Sequence, residues 1–391
     1  MLVRKSINED VVTLHIAGRI DANNAASYSN EIDDLLLGEE GKSLVLDIDD
    51  LEYISSAGLR VVLRLLKEFE GLRLINASNE VYQIFEMTGF TEMLDVSKAF
   101  RKMSIEGCDV IGRGAKGTVY RLNEDTIIKA YNNPDSLPDI LRERELARKA
   151  FVLGVPTAIS YDVVRIGESY GSVFELLNAK SYSEMIREDT ENYEKYVSEY
   201  ANVLKQIHET EVKEGDMPSI KNIAYKWVEE DKKQLDSFYI KKLQKLIDEV
   251  PDRNTMIHGD YHTNNLMLQN GETMIIDMDT LSHGHPVFEL ANMYTAHTLL
   301  GLTDHSIVAK FLRYDYDLSQ KVWNDFLHFY FKDKSEDEIS EIMDKVELLG
   351  FARLIRHISR RGINNEMEQI ALDLAKKNII ELLDKVTTLE F

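Results

Sequence analysis

One segment constrains the fold of this chain more than any other: residues 257–265 read Ile-His-Gly-Asp-Tyr-His-Thr-Asn-Asn. Asp260 and Asn265 stand five residues apart after a His-Gly turn, and an apolar run ends at Asp277 twelve residues later, followed by Asp279. A carboxylate such as Asp260 can orient and deprotonate a hydroxyl, and carboxylate and amide oxygens are hard ligands suited to Mg²⁺. The segment therefore predicts phosphoryl-transfer chemistry, with magnesium held by Asn265, Asp277 and, as an additional ligand, Asp279.

A glycine-rich turn lies upstream, where residues 112–119 read Gly-Arg-Gly-Ala-Lys-Gly-Thr-Val. This spacing is typical of a strand–turn–strand flap that closes over the phosphates of a nucleotide. A dinucleotide-binding fold needs its glycines to open a helix, whereas residues 118–122 are typical of a strand. The pattern favours the flap. The cofactor-binding residues predicted here are Ile111, Gly112, Gly114, Gly117 and Val119.

Lys129 follows Gly117 by twelve residues and is expected at the end of a buried strand, from which it can reach the α and β phosphates of ATP. Its carboxylate partner should lie on the next helix, where Glu143 and Glu145 are the candidates. Apolar residues three, four and seven positions after Glu143 favour Glu143, and Glu145 remains the alternative.

The periodicity of the chain predicts two domains. Strand-like and helix-like segments alternate over the first hundred residues, which indicates a small α/β domain. After about residue 97 this periodicity is lost and the segment is rich in basic residues. A β-rich lobe and a large helical lobe are expected to follow. The expected boundaries are residues 1–97 for the first domain, 98–107 for a linker and 108–391 for the second domain.

Charge and cysteine content narrow the class of protein. The 391 residues include 68 acidic and 46 basic side chains, a net charge of −22, which disfavours nucleic acids and anionic membranes as partners. The single cysteine, Cys108, excludes an internal disulfide and fits a reducing cytoplasm. Neither a signal peptide nor an apolar run long enough to span a membrane is expected.

The second domain resembles the aminoglycoside phosphotransferase and choline kinase branch of the protein-kinase-like fold. In that branch, as here, His-Gly-Asp replaces His-Arg-Asp, and the Gly of Asp-Phe-Gly is absent from Ile-Asp-Met-Asp. The resemblance implies an α+β fold with a small β-rich N-lobe and a large helical C-lobe, binding ATP and Mg²⁺. It implies these roles: Asp260 as catalytic base, Asn265 and Asp277 as magnesium ligands, Lys129 and Glu143 as an ion pair, Glu175 and Leu177 as the adenine hinge.

Two further features of this region bear on the acceptor. Glu289 stands where the family usually has Asp, and the chemistry is expected not to depend on it. Only seven residues separate Asp279 from the helix expected near Val287. This is too few for the long activation segment with which protein kinases dock peptides, so a small-molecule acceptor is favoured.

A hydroxyl at a strand-to-helix junction marks the first domain, where residues 54–59 read Ile-Ser-Ser-Ala-Gly-Leu. Amide groups at a helix N-terminus favour a phosphate, although N-capping by Ser55 or Ser56 explains the serines equally well. With Gly-Arg-Ile-Asp at 18–21 and Leu-Val-Leu-Asp-Ile at 44–48, residues 1–97 resemble the STAS domains of anti-sigma-factor antagonists, an α/β fold with a mixed sheet. The resemblance places Ser56 at the regulatory phosphoserine, and the Asp that usually precedes it is Ser55.

Three functions follow, of which one leads. The leading hypothesis is an ATP- and Mg²⁺-dependent phosphotransferase acting on a hydroxyl of an aminoglycoside- or choline-like small molecule, with the STAS-like domain as a regulatory or partner-docking module. The second is a protein Ser/Thr kinase that phosphorylates Ser56 or the matching serine of a partner. The third is a nucleotide-sensing interaction protein with little catalysis, against which the intact set Lys129, Asp260, Asn265 and Asp277 argues.

Overall fold

The structure, a computed structural model, describes residues 2–39, 41–114 and 116–391. Its chain divides into two units, each with a hydrophobic core of its own. The first unit comprises Met1–Ser104 together with Val164–Gly167, and the second comprises Ile105–Val163 and Glu168–Phe391. Of the helices in the described part of the chain, none combines the length and apolar character needed to cross a bilayer.

In the residues that the structure describes, the first unit consists of short strands and three α-helices. The strands are β1 (Val3–Asn8), β2 (Val11–Ile16), β3 (Gly18–Ile20), β4 (Ser43–Asp47), β5 (Leu51–Ile54), β6 (Arg73–Ala77) and β7 (Asp95–Lys98). The helices are α1 (Ala25–Leu36), α2 (Ser56–Glu68) and α3 (Asn79–Met87). The main sheet has the order β1-β2-β4-β6-β7, in which β1 and β2 are antiparallel and the other neighbours parallel. The predicted α/β fold with a mixed sheet is confirmed.

The core of the first unit lies between this sheet and its helices. The central strand β4 contributes the buried run Leu44–Leu46, as expected for a strand with neighbours on both sides. Tyr28 and Ile32 of α1 and Phe85 of α3 are buried against it in the same cluster. Helical spacing of apolar residues is thus what fixes each helix to the sheet.

The second unit begins with a β-rich lobe. Its elements are β8 (Asp109–Arg113), β9 (Gly117–Arg121), β10 (Thr126–Tyr131), α4 (Leu137–Val152), β11 (Asp162–Ile166) and β12 (Ser169–Glu175). Residues 164–166 of β11 are counted with the first unit. Strands β12, β10, β9 and β8 pair antiparallel in that order. Lys129 lies inside β10, not at its end as the sequence suggests, because the strand continues to Tyr131.

A helical region follows, interrupted by five short strands. The helices are α5 (Tyr182–Glu188), α6 (Tyr193–Glu209), α7 (Ile220–Glu230), α8 (Ser237–Asp248), α9 (Val287–His297), α10 (His305–Leu312), α11 (Tyr316–Tyr330), α12 (Glu336–Arg361) and α13 (Glu366–Lys385). The strands are β13 (Lys180–Ser181), β14 (Met256–Ile257), β15 (Leu266–Gln269), β16 (Glu272–Ile275) and β17 (Ser282–His283). The predicted α+β kinase-like fold is confirmed, and β14, β15 and β16 carry the segments that the sequence assigns to catalysis.

Candidate active site

The His-Gly-Asp segment is a loop between β14 and β15, and its backbone is tightly constrained. Gly259 has φ of +85°, and a Cβ placed there would lie 2.6 Å from the carbonyl oxygen of Thr280. Thr280 in turn donates its hydroxyl hydrogen to the carbonyl oxygen of His258 over 2.7 Å. Only glycine combines the left-handed backbone with so close an approach, so the loop is pinned to the segment after Asp277.

Helix α9 holds the same loop from the other side. The fully buried carboxylate of Glu289 accepts the backbone N–H groups of His258 at 2.6 Å, Gly259 at 2.9 Å and Tyr261 at 3.4 Å. One turn later, Asn292 donates its side-chain N–H to the carbonyl oxygen of Gly259 over 2.9 Å. The first two turns of α9 therefore fix the backbone conformation of the loop that carries Asp260.

Glu289 remains charged in this buried position. Burial raises the pKa of its carboxyl group, but His208, His258 and the N–H of Gly259 outweigh that effect and leave the pKa below its ordinary value. His208 lies 3.9 Å from the carboxylate and bonds to the hydroxyl of Tyr330 over 2.6 Å. The sequence gives Glu289 no part in the chemistry, whereas its contacts make it a positioning residue for the loop.

Asp260 is ready to accept a proton at neutral pH. Its side chain is 40% exposed, and its Oδ2 lies 3.7 Å from Nε2 of His262. Burial raises the pKa of Asp260, but His262 and His258 outweigh it and hold the pKa below the ordinary value. Asn265 donates its side-chain N–H to the carbonyl oxygen of Asp260 over 3.0 Å, so its own amide oxygen stays available as a ligand.

Lys129 joins two carboxylates that the sequence predicts for the site. Its Nζ lies 3.1 Å from Oε1 of Glu143 and 3.2 Å from Oδ1 of Asp277. Burial would lower the pKa of Lys129, but these two carboxylates raise it above its ordinary value. Glu145 instead lies 3.9 Å from Lys149.

Asp277 adopts an unusual backbone conformation directly after β16. Its φ of +63° and ψ of +63° lie in the left-handed region, which is rare for residues other than glycine and asparagine. Its side chain is 41% exposed. The strained backbone turns this carboxylate towards Lys129 and leaves one oxygen open to solvent.

Tyr131 belongs to the site although the sequence analysis does not name it. Its hydroxyl donates to Oε2 of Glu143 over 3.0 Å, and burial together with Glu143 raises its pKa to about 12. The signal was present in the sequence, because residues two apart on a strand share a face and Tyr131 follows Lys129 by two. Tyr131 is thus the second side chain, after Lys129, that holds Glu143 in place.

The glycine-rich turn connects β8 and β9 as predicted. Its three glycines differ in whether the fold leaves room for a side chain. A Cβ on Gly117 would lie 2.3 Å from the carbonyl oxygen of Ala130 on β10, so this position must be glycine. Gly112 and Gly114 have room for a Cβ, and the N–H of Gly114 donates to the carbonyl oxygen of Gly117 over 2.9 Å. The fold alone therefore does not explain Gly112 and Gly114.

The same turn reaches the predicted metal loop. Lys116 forms an ion pair with Asp279, whose side chain is only 11% exposed. Ala115, within the turn, lies outside the described residues. Asp277 and Asp279 thus differ in surroundings, since one contacts Lys129 and the other the flap.

The remaining predicted nucleotide-binding residues lie on the strands of the β-rich lobe. Val119 of β9 is the register partner of Lys129, and Ile111 of β8 is exposed. Glu175 ends β12 opposite Thr126, and Leu177 follows it. No described contact joins Glu175 or Leu177 to the Asp260 loop.

The predicted magnesium ligands suit that ion chemically. Asn265, Asp277 and Asp279 offer amide and carboxylate oxygens, the hard donors that Mg²⁺ prefers while it keeps several waters. In the described part of the chain, no group of three or more His, Cys, Asp or Glu side chains forms a complete metal site.

In the first unit, Ser55 and Ser56 have different roles. Ser55 is the N-cap of α2, and its hydroxyl accepts the N–H of Gly58 at 3.5 Å. Ser56 is the first residue of the helix and is exposed. Capping therefore explains Ser55 and leaves the hydroxyl of Ser56 accessible at the helix N-terminus.

A β lobe with a glycine-rich turn, a lysine paired with a helix glutamate and a His-Gly-Asp loop define a kinase-like phosphotransferase. The chain belongs to the phosphotransferase enzyme family, whose sequence profile matches residues 108–317. A STAS domain profile matches residues 3–103. The resemblances predicted for both parts of the chain are confirmed.

Individual relatives are similar to one part or the other. The anti-sigma-B factor antagonist of Bacillus subtilis (strain 168) is 31% identical over 94 residues, which are 23% of this chain and 84% of that protein. The streptomycin–ATP–APH(2'')-IIa ternary complex is 16% identical, covers 79% of this chain and 99% of its own, and has a TM-score of 0.47. An anti-sigma factor antagonist from Mycobacterium paratuberculosis is 16% identical, covers 24% of this chain and 83% of its own, and has a TM-score of 0.23.

Proposed function

We propose that the second unit transfers the γ-phosphoryl group of ATP to a hydroxyl of a small molecule in the presence of Mg²⁺, and that the STAS domain regulates it or docks a partner. The functional boundaries proposed are residues 1–97, 98–107 and 108–391. The observation that carries the proposal is the placement of Lys129 between Glu143 and Asp277. Phosphoryl transfer depends on such positioned charges more than on covalent chemistry by the protein.

Each residue of the site has a role in this proposal. Lys129, held by Glu143, binds the phosphates of ATP, and Asp260 orients the acceptor hydroxyl and takes its proton. Asn265 and Asp277 hold Mg²⁺, with Asp279 as an additional ligand. When bound, the metal neutralises charge on the phosphate oxygens.

The nucleotide lies between the flap and the hinge in this proposal. Gly112 and Gly114, which the fold does not require to be glycine, let the backbone of the turn approach the phosphates, together with Gly117. Ile111 and Val119 flank them. Glu175 and Leu177 form the hinge for the adenine.

The chain after Asp279 supports a small acceptor. A short strand, β17, and the start of α9 at Val287 follow within a few residues. This leaves no length for an extended peptide-docking segment. Aminoglycoside- and choline-like alcohols are the first classes to test.

Turnover of Mg·ATP by the full-length protein tests the proposal. We expect ATP consumption that depends on an added alcohol from a panel of aminoglycosides, choline-like amines and other hydroxylated metabolites. Asp260→Asn should lower kcat by about 10²–10⁴-fold with nucleotide binding retained, because a general base is lost. Asp317→Asn, an exposed aspartate of α11, is the matched control and should be unchanged. A wild-type protein that binds no Mg·ATP, or an active Asp260→Asn, would overturn the proposal.

The accessible hydroxyl of Ser56 favours one second candidate, a protein kinase acting on its own STAS domain or on a partner's. The same incubation measures it through the intact mass. A phosphate gained at Ser56 in the wild type and absent in Asp260→Asn supports this second function. Nucleotide binding with neither turnover nor phosphoprotein supports a nucleotide-sensing interaction protein.

A further inference from the structure

Basic residues cluster on the C-terminal half of α12, in a chain that is otherwise strongly acidic. Arg356 and Arg360 pair with Glu230, at 2.9 Å and 3.6 Å. Arg361 contacts His357 and lies in the last turn of the helix, where a cation is favoured by the helix dipole. Arg353 differs from them, because among the described residues it has neither a hydrogen bond nor an ion pair.

Packing explains where Arg353 lies. Its guanidinium carbon is 4.6 Å from the centre of the Trp227 ring on α7, and the side chain is partly buried. One turn earlier, Gly350 brings α12 close to α9, since a Cβ there would lie 3.0 Å from Cδ1 of Tyr294. Thr295 of α9 also donates its hydroxyl hydrogen to the carbonyl oxygen of Gly350. Arg353 therefore stands beside the helix that fixes the Asp260 loop.

The charge of Arg353 is felt at the reacting carboxylate. Burial lowers the pKa of Arg353 to about 10, and Asp260 and Glu289 oppose that shift. Arg353 in turn contributes to the low pKa of Asp260. Among the described residues, neither Asp260 nor Glu289 forms an ion pair with Arg353; Asp260 lies near His262, and backbone N–H groups and His208 occupy the carboxylate of Glu289.

An unpaired, partly buried guanidinium is costly unless an anion completes it. The Trp227 ring covers one face of the group, and no described residue hydrogen-bonds to its N–H edge. That edge matches two oxygens of a carboxylate or a phosphate, which it binds with two parallel hydrogen bonds. The feature is thus suited to receive an oxyanion, and its charge acts on the carboxylate that the proposed reaction uses as base.

We propose that the acceptor carries an oxyanion, a carboxylate or a phosphate, in addition to its hydroxyl, and that Arg353 binds this group. The inference rests on the proposed function, because it concerns the acceptor of the same reaction. The proposal excludes purely cationic alcohols such as choline as the acceptor. Trp227 is the platform that orients the guanidinium.

Matched acceptor pairs test the proposal in the full-length protein with Mg·ATP. D-glycerate and glycerol 3-phosphate are compared with glycerol, gluconate and glucose 6-phosphate with glucose, and choline and kanamycin serve as cationic alcohols. We expect phosphorylation of an anionic member in preference to its neutral parent. The hydroxy acids and the phosphate esters form separate arms, which distinguish the two sources of the oxyanion.

Substitutions then assign the preference to Arg353. Arg353→Met should lower kcat/KM for the anionic acceptor by about tenfold or more, the effect of losing a charge-assisted hydrogen bond. Arg353→Lys, which keeps the positive charge, should retain part of the kcat/KM for the anionic acceptor. Arg360→Met, which removes an exposed arginine of the same helix, is the control and should change kcat/KM less than about twofold.

Two results would overturn the proposal. One is use of a neutral or cationic acceptor equally well by the wild type and Arg353→Met, and the other is the absence of any preference for anionic acceptors. Binding of Mg·AMP-PNP, measured in the same variants, separates this failure from that of the proposed function. If the nucleotide binds and anionic acceptors are not preferred, the proposed phosphotransferase function is retained and the proposal that the acceptor carries an oxyanion is contradicted. The unfolding midpoint of Arg353→Met shows whether the variant is folded.

Discussion

At the scale of single residues, Glu289 shows how a buried charge can serve geometry. A carboxylate only accepts hydrogen bonds, and here it meets the N–H groups of three residues in the catalytic loop. An amide in its place would turn a donor towards those donors. The negative charge of Glu289 is therefore needed for the loop conformation, even though its side chain contacts none of the predicted magnesium ligands.

The first prediction follows from this contact. Glu289→Gln should lower the free energy of unfolding of the second unit by roughly 2–4 kcal/mol and reduce kcat, because one of the two acceptor oxygens becomes an NH2 donor that faces a buried N–H group. Denaturant unfolding and turnover measure the two effects. Glu289→Asp keeps the carboxylate one methylene shorter and should lose less of both. Equal damage from Asp and Gln would contradict the role of the charge.

His262 gives a prediction about pH. Asp260 must be deprotonated to accept a proton, so activity falls as the pH falls through its pKa. Burial raises that pKa and His262 lowers it, so His262→Gln should move the acid limb of the kcat profile to higher pH. The profile is measured alongside His328→Gln, which changes an exposed histidine of α11. An unmoved acid limb in a folded His262→Gln would contradict the assignment.

At the scale of elements, the glycine-rich turn contains one glycine that the fold requires, Gly117, and one that we propose is needed for nucleotide binding, Gly114. Gly117→Ala should destabilise the β-rich lobe by roughly 1–3 kcal/mol, since its Cβ would collide with the backbone of β10. Gly114→Ala has room and should change stability by less than about 0.5 kcal/mol while weakening Mg·ATP binding. Unfolding curves and nucleotide titrations measure the pair.

A strongly destabilised Gly114→Ala would contradict this distinction between the two glycines, because it would show that the turn is structural throughout. It would remove the reason for placing the phosphates under the flap.

What the sequence could predict at this scale follows from local periodicity. Helices α1 to α4 show apolar residues at helical spacing, and β4 is a short apolar run, so each is visible. Strand β1 is not, because it is exposed at every position after Val3, and the edge strand β7 has no buried residue. These two strands are held in the sheet by hydrogen bonds to neighbouring strands. Their own residues therefore show no alternation of apolar and polar side chains.

The site divides in the same way. Lys129, Asp260 and Asp277 are recognisable because fixed spacings and local turns carry them. Glu289 is marked in the sequence only as the position where the family usually has Asp, and nothing marks Arg353, because the contacts of both residues join elements that are distant in the chain. Residue type alone suggests a solvated charge for both.

At the scale of the whole molecule, the two separate cores predict two separable unfolding events. A nucleotide that binds the second unit should stabilise that unit alone, by about 2.7 kcal/mol at a hundred times its Kd. Calorimetry with Mg·AMP-PNP measures this as a shift of one transition. Lys129→Met should abolish the shift, whereas the exposed Lys377→Met should not. A nucleotide shift of both transitions by the same amount would contradict the independence of the cores.

The single cysteine of the chain has a practical consequence. Cys108 is unbonded, partly exposed and placed directly before β8, the strand that leads into the glycine-rich turn. A maleimide fluorophore would therefore attach at one defined position in the unmutated protein. Its emission would report on the start of β8, the strand that leads into the flap, as nucleotide is titrated, with every other residue of the protein left in its native form.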